Sequence, residues 1–488
     1  MYRIGTWLFL RTLGLVHLVA FISLWTQVDG LIGPKGILPA ERLLEAARSQ
    51  LGAAAYWRVP TLCWMGGTGG FLHGLCAAGV ALALLLVCNL ASGPALVGLW
   101  LCYLSLVSVG QDFLGFQWDA LLLETTLLAL FVAPWRLRPG LIAAQPPAAG
   151  RWLLWWLLAR LMFLSGVVKL TSGDATWRGL TALQYHFETQ PLPTWPAWYA
   201  HQLPGWTLKV VCAAMFVVEL AGPVLLLGPR RFRHAAVLAF IGLMGLIALT
   251  GNYTYFNLLT AALGLICLDD RWWAKMLRRG RGPGANRDGV VAAPVKPTPV
   301  ARRVALAALG LVVGFTALQA LPSLDPGAAW PGWLFRMEGA VTPLRSLNNY
   351  GLFAVMTTER REIVIEGTND GVEWRPYEFR WKPGDLARAP GFVEPFQPRL
   401  DWQMWFAALG PPQQNRWFYP LIEQLLRGNP TVLALFAHNP FPDRPPRAVR
   451  AVIYPYHFTD AAERAATGNW WRRGQAELYL PMATLRAN

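Results

Sequence analysis

The stretch Arg399–Ala408, RLDWQMWFAA, decides the fold of the C-terminal part of this chain. Its apolar residues recur at helical spacing, and Gly410 follows as a helix stop. It stands inside a polar, Trp-rich segment that runs from Asn349 to Trp471, and the region before that segment is long and apolar. We therefore expect a folded domain attached to a multispan membrane region, where such a domain usually presents the surface for a client or a substrate.

The composition is that of an integral membrane protein. Hydrophobic residues make up 54% of the 488 residues and charged residues only 15%, whereas soluble domains average about 25% charged residues. Mean hydropathy is +0.33. The 25 tryptophans also suit this class, because Trp is favoured at membrane–water interfaces.

Charge and cysteine content argue against two other classes. Much of the net charge of +15 lies in short loops between apolar runs, where positive charge sets membrane topology, so no nucleic acid partner is expected. The six cysteines all lie at or before Cys267, and no Cys-x-x-Cys occurs. We therefore expect buried thiols, with neither a redox motif nor a cysteine-based zinc site.

The apolar runs predict a polytopic α-helical membrane domain of about nine spans, each needing about 20 mostly apolar residues. The runs are Trp7–Val28, Phe71–Leu90, Pro94–Gly110, Phe113–Ala133, Trp152–Thr171, Thr207–Leu227, His234–Thr250, Tyr253–Leu268 and Val304–Leu321. The first run is too long for a usual signal peptide, so we expect it to be retained.

Basic loops predict the orientation. With nine spans, the clusters around Arg136, Arg231 and Arg278 all fall on the side of the N-terminus. The positive-inside rule then places the N-terminus in the cytoplasm and the C-terminal domain outside. The outer loop from Asp29 to Gly70 is an exception because it is also basic, and Glu41 to Gln50 within it is predicted to be an amphipathic surface helix.

Four parts follow from these patterns: a membrane domain at 1–279, a flexible basic cytoplasmic linker at 280–302, a last transmembrane helix at 303–322 and an extracytoplasmic α+β domain at 323–488. In the last part, two period-two segments flank the turn residues Asn369-Asp370-Gly371, which predicts a hairpin. The segments are Arg361–Glu366 and Trp374–Trp381, with helices expected at Leu400–Leu409 and Trp417–Leu426 and strands at Val449–Phe458 and Ala476–Leu480.

Ionisable residues inside spans cost about 2.5–3.5 kcal/mol each, so they are either structural or functional. In the structural interpretation, cationic and acidic side chains neutralise one another inside the bundle. The cations are Arg11, Arg160 and Lys169, and the acids are Asp119, Glu124 and Glu219. In the functional interpretation, a polar cavity opens outward and a partly desolvated Lys169 acts as a base.

The segment from Asp174 to Gln202 is rich in Trp, Tyr and His and is predicted to lie on the outer side. It is either an interfacial aromatic belt or a lid that docks beside the external domain. His186, Glu188 and His201 are the nearest approach to a metal-ligand set, and no metal site is expected from so sparse a pattern. The common hydrolase, phosphate-binding and zinc-protease motifs are absent from the sequence.

Long strings in this chain resemble the lipase maturation factor family along most of its length. They are LIGPKGILP at 31–39, QWDALLLET at 117–125, YHFETQPLP at 185–193, GNY at 251–253, FNLL at 256–259, NYGLF at 349–353, EGT at 366–368, YEF at 377–379, KPGD at 382–385, RLDWQMWFAA at 399–408 and AHNPF at 437–441. The resemblance implies a multispan protein that helps secreted lipases fold. In animals it lies in the endoplasmic reticulum with its C-terminal domain in the lumen. A bacterial member would lie in the inner membrane with that domain in the periplasm.

A shorter string, RLMFLSGVVKL at 160–170, is similar to the membrane part of vitamin K-dependent γ-carboxylases. That resemblance implies a different activity, in which Lys169 is a base acting on a quinone or lipid-like substrate and Asp119, Glu124 or His186 assists. Enzymatic activity is therefore an open alternative.

Under the first resemblance the partners are a secreted client, with a lipase as the implied class, and membrane lipid, without a cofactor. Exposed aromatic and amide side chains of the C-terminal domain would bind that client. The candidates are Trp402, Trp405, Phe406, Asn439 and Phe441. The alternative for the aromatic residues is that they form the core of their own domain.

Overall fold

The structure is a computed structural model that describes residues 1–66, 69–138, 145–279 and 299–485. Most of the linker predicted at 280–302 lies outside these ranges. The helices of the first three ranges are, in chain order, α1 (Arg3–Trp25), α2 (Val28–Ile32), α3 (Ala40–Leu51), α4 (Ala55–Arg58), α5 (Gly69–Val87), α6 (Ser92–Val109), α7 (Gln117–Ala129), α8 (Ala148–Thr171), α9 (Ala175–Arg178), α10 (Leu183–Thr189), α11 (Trp195–His201), α12 (Gly205–Phe216), α13 (Gly222–Leu227), α14 (Arg230–Thr250), α15 (Phe256–Leu265) and α16 (Asp270–Arg279).

Among the described residues, seven helices are long and apolar enough to cross a membrane. They are α1, α5, α6, α8, the continuous segment of α12 and α13, α14, and α17 (Pro299–Leu324). The predicted class, a polytopic helical membrane domain followed by a domain with strands and helices, is confirmed.

Two of the nine predicted spans form shorter helices, α7 and α15. A 3-10 turn at Gln111–Leu114 precedes α7, and Gln111 there has φ 51°. Thr254, just before α15, has φ 59°. The 3-10 turn and the extended Phe116 delay the start of α7, and the left-handed Thr254 delays the start of α15. Seven helices among the described residues therefore reach spanning length.

The short helices α7 and α15 return the chain from one end of the bundle to the other. The bundle therefore has two ends, which we call faces and which differ in their contacts. On one face, Gln111 Nε2 donates to Leu38 O at 2.9 Å, and Thr171 Oγ1 donates to Ser323 O at 3.0 Å. On the other face, Ile4 N donates to an Asp270 carboxylate oxygen at 3.0 Å. We call the first the outer face and the second the N-terminal face.

The C-terminal domain contains the helices α18 (Gly332–Val341), α19 (Arg399–Ala407), α20 (Phe418–Leu426), α21 (Pro430–Leu433) and α22 (Ala461–Thr467). Its strands are β1 (Arg360–Thr368), β2 (Arg375–Pro376), β3 (Glu378–Phe379), β4 (Phe436–His438), β5 (Ala448–Phe458), β6 (Trp471–Arg473) and β7 (Glu477–Ala483). The main antiparallel sheet has the order β2-β1-β5-β6, with β7 also paired to β5, and β3 pairs with β4 separately.

The predicted hairpin is present, with Glu366 opposite Pro376 and Gly367 opposite Arg375. Asp370 closes the turn by accepting hydrogen bonds from the backbone N–H groups of Val372 and Glu373. The second arm is shorter than predicted, because after Pro376 the chain leaves β1 and pairs with β4. The predicted helices and the two late strands are also observed, with bounds shifted by a few residues.

The C-terminal domain packs directly on the outer face. Its helix α19 places Trp402 against Trp118 of α7, with ring centroids 4.8 Å apart. Trp417, just before α20, lies 6.1 Å from Phe113. These residues belong to one hydrophobic core that continues from the bundle into the domain. The C-terminal domain therefore contacts the bundle directly, in addition to its chain connection through α17.

Candidate functional site

A buried ion pair joins α19 to α7 at the centre of the domain contact. Arg399 Nη2 lies 3.0 Å from Asp119 Oδ1, and both side chains are fully buried. Tyr103 and Tyr255 donate their hydroxyls to the same oxygen, at 2.5 and 2.8 Å. Arg399 also donates to Phe113 O at 2.7 Å. Every ion of this cluster is compensated, which is the condition for a buried charge pair to persist.

A second buried pair, between Arg160 of α8 and Glu124 of α7, is bound by the segment that leads into the C-terminal domain. Asn348 N and the Tyr350 hydroxyl donate to Glu124 Oε2 at 3.1 and 2.7 Å. Arg160 in turn donates to Asn348 O at 2.7 Å. Gly351 allows this close approach, because a Cβ there would meet Val168 at 3.1–3.3 Å. The string NYGLF at 349–353 therefore lies in direct contact with the bundle.

The aromatic segment between α9 and α11 is held by the C-terminal sheet. Arg360 of β1 donates to the carbonyl oxygens of Glu188, Gln190 and Pro191. The Glu188 carboxylate accepts from Phe458 N at 2.9 Å. Of the two sequence interpretations, contact with the external domain is the one that the geometry supports.

A fourth set of contacts joins the loop 390–398 to the end of α1, to the connection between α14 and α15, and to α15 itself. Ser23 and Gln27, at the end of α1, bond to the backbone of Gln397 and Arg399. Asn252 accepts from Val393 N at 2.7 Å. Glu394 accepts from Asn257 Nδ2 of α15 at 3.0 Å and from Tyr253 N. The family-like strings at 117–125, 185–193, 251–259, 349–353 and 399–408 thus meet at one interface.

Three of the four candidate catalytic residues, Asp119, Glu124 and Lys169, each form an ion pair with a separate partner. Asp119 pairs with Arg399 and Glu124 with Arg160. Lys169 Nζ lies 2.8 Å from both carboxylate oxygens of Glu219 and donates to Ser165 O at 3.0 Å. Two ion pairs, Arg160–Glu124 and Lys169–Glu219, agree with the interpretation that buried charges neutralise one another inside the bundle. Asp119 instead takes its partner from the C-terminal domain, and Arg11 bonds to Asn89 and Ser92.

The Lys169–Glu219 contact depends on local helix geometry. Between α12 and α13 the helix widens into a π turn at Val217–Ala221. Pro223 lacks an N–H, so it cannot complete the α-helical hydrogen bond to the carbonyl of Glu219. The π turn keeps the segment helical across this proline and holds Glu219 toward α8.

His186, the fourth candidate, is partly buried between Phe187 and Phe353. Burial, with a smaller contribution from Lys169, lowers the pKa of His186 to about 4. Its Nε2 lies 3.4 Å from the Tyr253 hydroxyl. At neutral pH it is therefore an uncharged part of the interface. Within the described ranges no group of three or more His, Cys, Asp or Glu side chains could hold a metal ion.

The aromatic client-binding candidates are mostly core residues, which corrects the expectation that they are exposed. Trp402 and Trp405 are 2% and 9% exposed, and the Trp405 indole donates to Thr189 O at 2.8 Å. Phe441 is 9% exposed, and Asn439 accepts from its backbone N–H at 3.0 Å. Phe406 is 41% exposed. Trp402 and Trp405 therefore join the two domains, whereas Phe441 packs against Tyr377 within the C-terminal domain.

Sequence reasoning missed several residues of this interface, above all Arg399, Arg360 and Glu394. Each lies in a segment that periodicity assigns to a helix, a strand or a loop of a separate domain. One signal was available for Arg399, since Asp119 is a costly buried acid that no nearby cation in the bundle neutralises.

These contacts define a class of protein, in which the outer face of a multispan membrane bundle packs against an α+β domain. The chain belongs to the lipase maturation factor family. The family model "Lipase maturation factor transmembrane domain" matches residues 4–275, and "Lipase maturation factor C-terminal domain" matches residues 346–481. Lipase maturation factor 2 of Homo sapiens is 38% identical over 99% of this chain and 83% of its own length. Lipase maturation factor 1 of Bos taurus is 33% identical over 98% and 90%. No solved structure matches the chain.

The interface is expected to weaken as pH rises through the titration of Glu394. Burial raises the pKa of Glu394 to about 7, although hydrogen bonds from Tyr253 and Asn257 oppose it. A carboxyl with a raised folded pKa holds its proton more tightly in the folded state, so stability falls between the ordinary pKa of 4.5 and about 7. Over this pH range we expect the wild type to lose on the order of 2–3 kcal/mol of unfolding free energy. The Glu394→Gln variant should not show this loss.

The measurement is the thermal unfolding midpoint of the purified full chain in detergent, from about pH 4.5 to pH 8. Glu423→Gln, at an exposed carboxylate of α20, is the matched control and should keep the wild-type pH profile. If Glu394→Gln follows the wild-type profile as well, Glu394 is not the responsible group.

Proposed function

We propose that this protein is a membrane-anchored maturation factor for secreted lipases, and that it acts in a bacterial inner membrane with the C-terminal domain in the periplasm. The supporting observation is its family membership over almost the whole chain, with relatives that carry the name lipase maturation factor. The locked interface supports a single working unit, in which the bundle holds a rigid extracytoplasmic domain at the membrane surface.

The proposed orientation rests on the distribution of charge between the two faces. The N-terminal face holds Arg230, which pairs with Asp269, and Arg233, which donates to the Tyr2 hydroxyl at 2.8 Å. The C-terminal domain lies on the opposite face. Basic residues remain on the cytoplasmic side of membrane proteins, so we assign the N-terminal face to the cytoplasm, and we retain the division at 1–279, 280–302, 303–322 and 323–488.

The client surface that we propose is a groove between α20 and β7, with a volume of about 460 Å³, which is lined mostly by apolar residues and bordered by the Glu423–Arg427 ion pair. Tyr419, Met482 and Leu485 line it and are 44%, 61% and 45% exposed. Ile422 and Leu426 form its floor. An exposed apolar groove is the feature that an incompletely folded client can contact. It replaces the buried Trp402, Trp405 and Phe441 as the contact site, while Phe406 lies in a different cleft.

The test is the yield of active secreted lipase from cells that depend on this protein. We expect Tyr419→Glu combined with Met482→Glu to lower that yield at least about fivefold, because two charges in an apolar contact cost more than 1 kcal/mol. Protein abundance in the membrane should remain normal. Val372→Glu, at an 84% exposed residue of the hairpin, is the control for added surface charge.

A reduced yield in the control as well would assign the effect to surface charge, and an unchanged yield in the double variant would rule out the groove. If deletion of the whole protein leaves the yield unchanged, the maturation function itself is contradicted. No contact among the described residues favours the carboxylase-like alternative, since the Lys169 ammonium is already paired with a carboxylate.

A further inference from the structure

Two adjacent clefts on the outer face form one groove between the surface helix α3 and the C-terminal domain. The first, of about 730 Å³, lies between α3 and the α20–α21 region. The second, of about 530 Å³, continues toward Phe406. Leu43 and Gln111 line both clefts. The Gln111 side chain fixes the near wall by donating to Leu38 O, and Asn429 fixes the far wall by donating to Lys35 O.

The groove carries positive charge that the protein does not compensate. Its two carboxylates are already paired, Asp112 with Arg416 and Glu423 with Arg427. Three further cations that line it, Lys35, Arg42 and Arg345, make no hydrogen bond or ion pair through their side chains with any described residue. The Arg345 guanidinium is partly buried and forms no salt bridge with a described residue. The buried Asp119 carboxylate attracts it, and Asp119 is itself paired with Arg399, so a further anion that approaches Arg345 is stabilising.

Part of the remaining lining of the groove is apolar. Val59, Phe116 and Phe406 line the second cleft. Helix α3 connects the outer ends of α1 and α5 through α4, in which Tyr56 and Trp57 are about half exposed. Aromatic residues at such a position mark the level of the lipid headgroups. The groove therefore offers cations beside an apolar patch of Val59, Phe116 and Phe406, and the aromatic residues of α4 are of the type that lies at the level of lipid headgroups.

We propose that this groove binds one anionic phospholipid from the outer-face leaflet. Lys35 and Arg42 face its phosphate and headgroup, Arg345 lies deeper, and an acyl chain lies along Val59, Phe116 and Phe406. The charge argument selects an anionic over a zwitterionic lipid, because the latter adds no net compensation. This site is separate from the α20–β7 client groove and does not depend on the proposed function.

The test is lipid binding by the full chain in detergent, measured by native mass spectrometry. The probes are phosphatidylglycerol, phosphatidylcholine and inorganic phosphate. We expect one phosphatidylglycerol to bind at least about tenfold more tightly than phosphatidylcholine, since each basic residue contributes about 1 kcal/mol. Lys35→Glu combined with Arg42→Glu should abolish that preference. Arg48→Glu combined with Arg58→Glu makes the same charge change in the same segment outside the groove and should preserve it.

An equal loss in both pairs would show unspecific surface attraction and overturn the site, as would the absence of any preference in the wild type. Displacement of the lipid by millimolar inorganic phosphate would show a phosphate site rather than a lipid site. Should the glutamate pair fail to fold, Lys35→Gln combined with Arg42→Gln carries the same test with no charge reversal. Because the readout is lipid alone, it can fail or succeed whatever the secretion assay shows.

Discussion

Replacing Arg399 by Met is expected to lower the free energy of unfolding by about 3–5 kcal/mol, the typical cost of leaving one partner of a buried ion pair alone. The substitution would leave the Asp119 carboxylate fully buried, and its remaining donors among the described residues would be the hydroxyls of Tyr103 and Tyr255. The contact between the C-terminal domain and the bundle would be the first part of the structure to open. The measurement is the unfolding midpoint of the full chain in detergent, together with limited proteolysis of the interface loop 390–398.

Two companion variants separate this effect from a general loss of contact. Arg416→Met removes an exposed pair with Asp112 at the same domain contact and should cost less than about 1 kcal/mol. Adding Asp119→Asn to Arg399→Met removes the orphaned charge but keeps an acceptor for both tyrosines, so at least half of the lost stability should return. If the double variant is no more stable than Arg399→Met, the buried charge is not the cause.

Lys169→Met is expected to destabilise the bundle by about 3 kcal/mol, because it leaves the Glu219 carboxylate without its cation inside the membrane part. Met keeps the length of the side chain and removes the charge. The same stability measurement applies, together with the amount of protein that inserts into membranes. A fully stable variant would contradict a structural role for Lys169.

Lys169→Met combined with Glu219→Gln distinguishes structure from catalysis. Removing both charges should restore stability and membrane abundance to near the wild-type level, and on our proposal lipase maturation returns with them. A stable double variant that has lost all function would instead support a chemical role for Lys169. Arg178→Met, at an exposed residue beyond α8, serves as the matched control for loss of one cation.

Much of the architecture follows from local pattern in the sequence. Apolar runs of spanning length predicted the bundle, period-two alternation around Asn369-Asp370-Gly371 predicted the hairpin, and Gly410 predicted the end of α19. These patterns are local because main-chain hydrogen bonding in helices and hairpins connects near neighbours. The short α7 and α15 were less predictable, since left-handed residues before them leave only a weak signal.

The candidate site was harder to predict from the sequence, and the string RLDWQMWFAA shows why. Its helical spacing correctly predicted α19, but the same spacing suits a helix that faces a client and one that faces its own protein. Trp402 and Trp405 took the second role because Trp118, Phe116 and the Thr189 carbonyl stand opposite them.

The sequence by itself determined the membrane class, the family and the elements, because hydrophobic length, charge bias and turn chemistry are properties of neighbouring residues. Only the tertiary structure decided that the C-terminal domain is locked to the bundle and that Asp119 has its partner in Arg399. These two residues lie 280 positions apart along the chain. Charge pairing acts through space over a few ångströms, so nothing in the order of the residues specifies which distant cation a buried acid will meet.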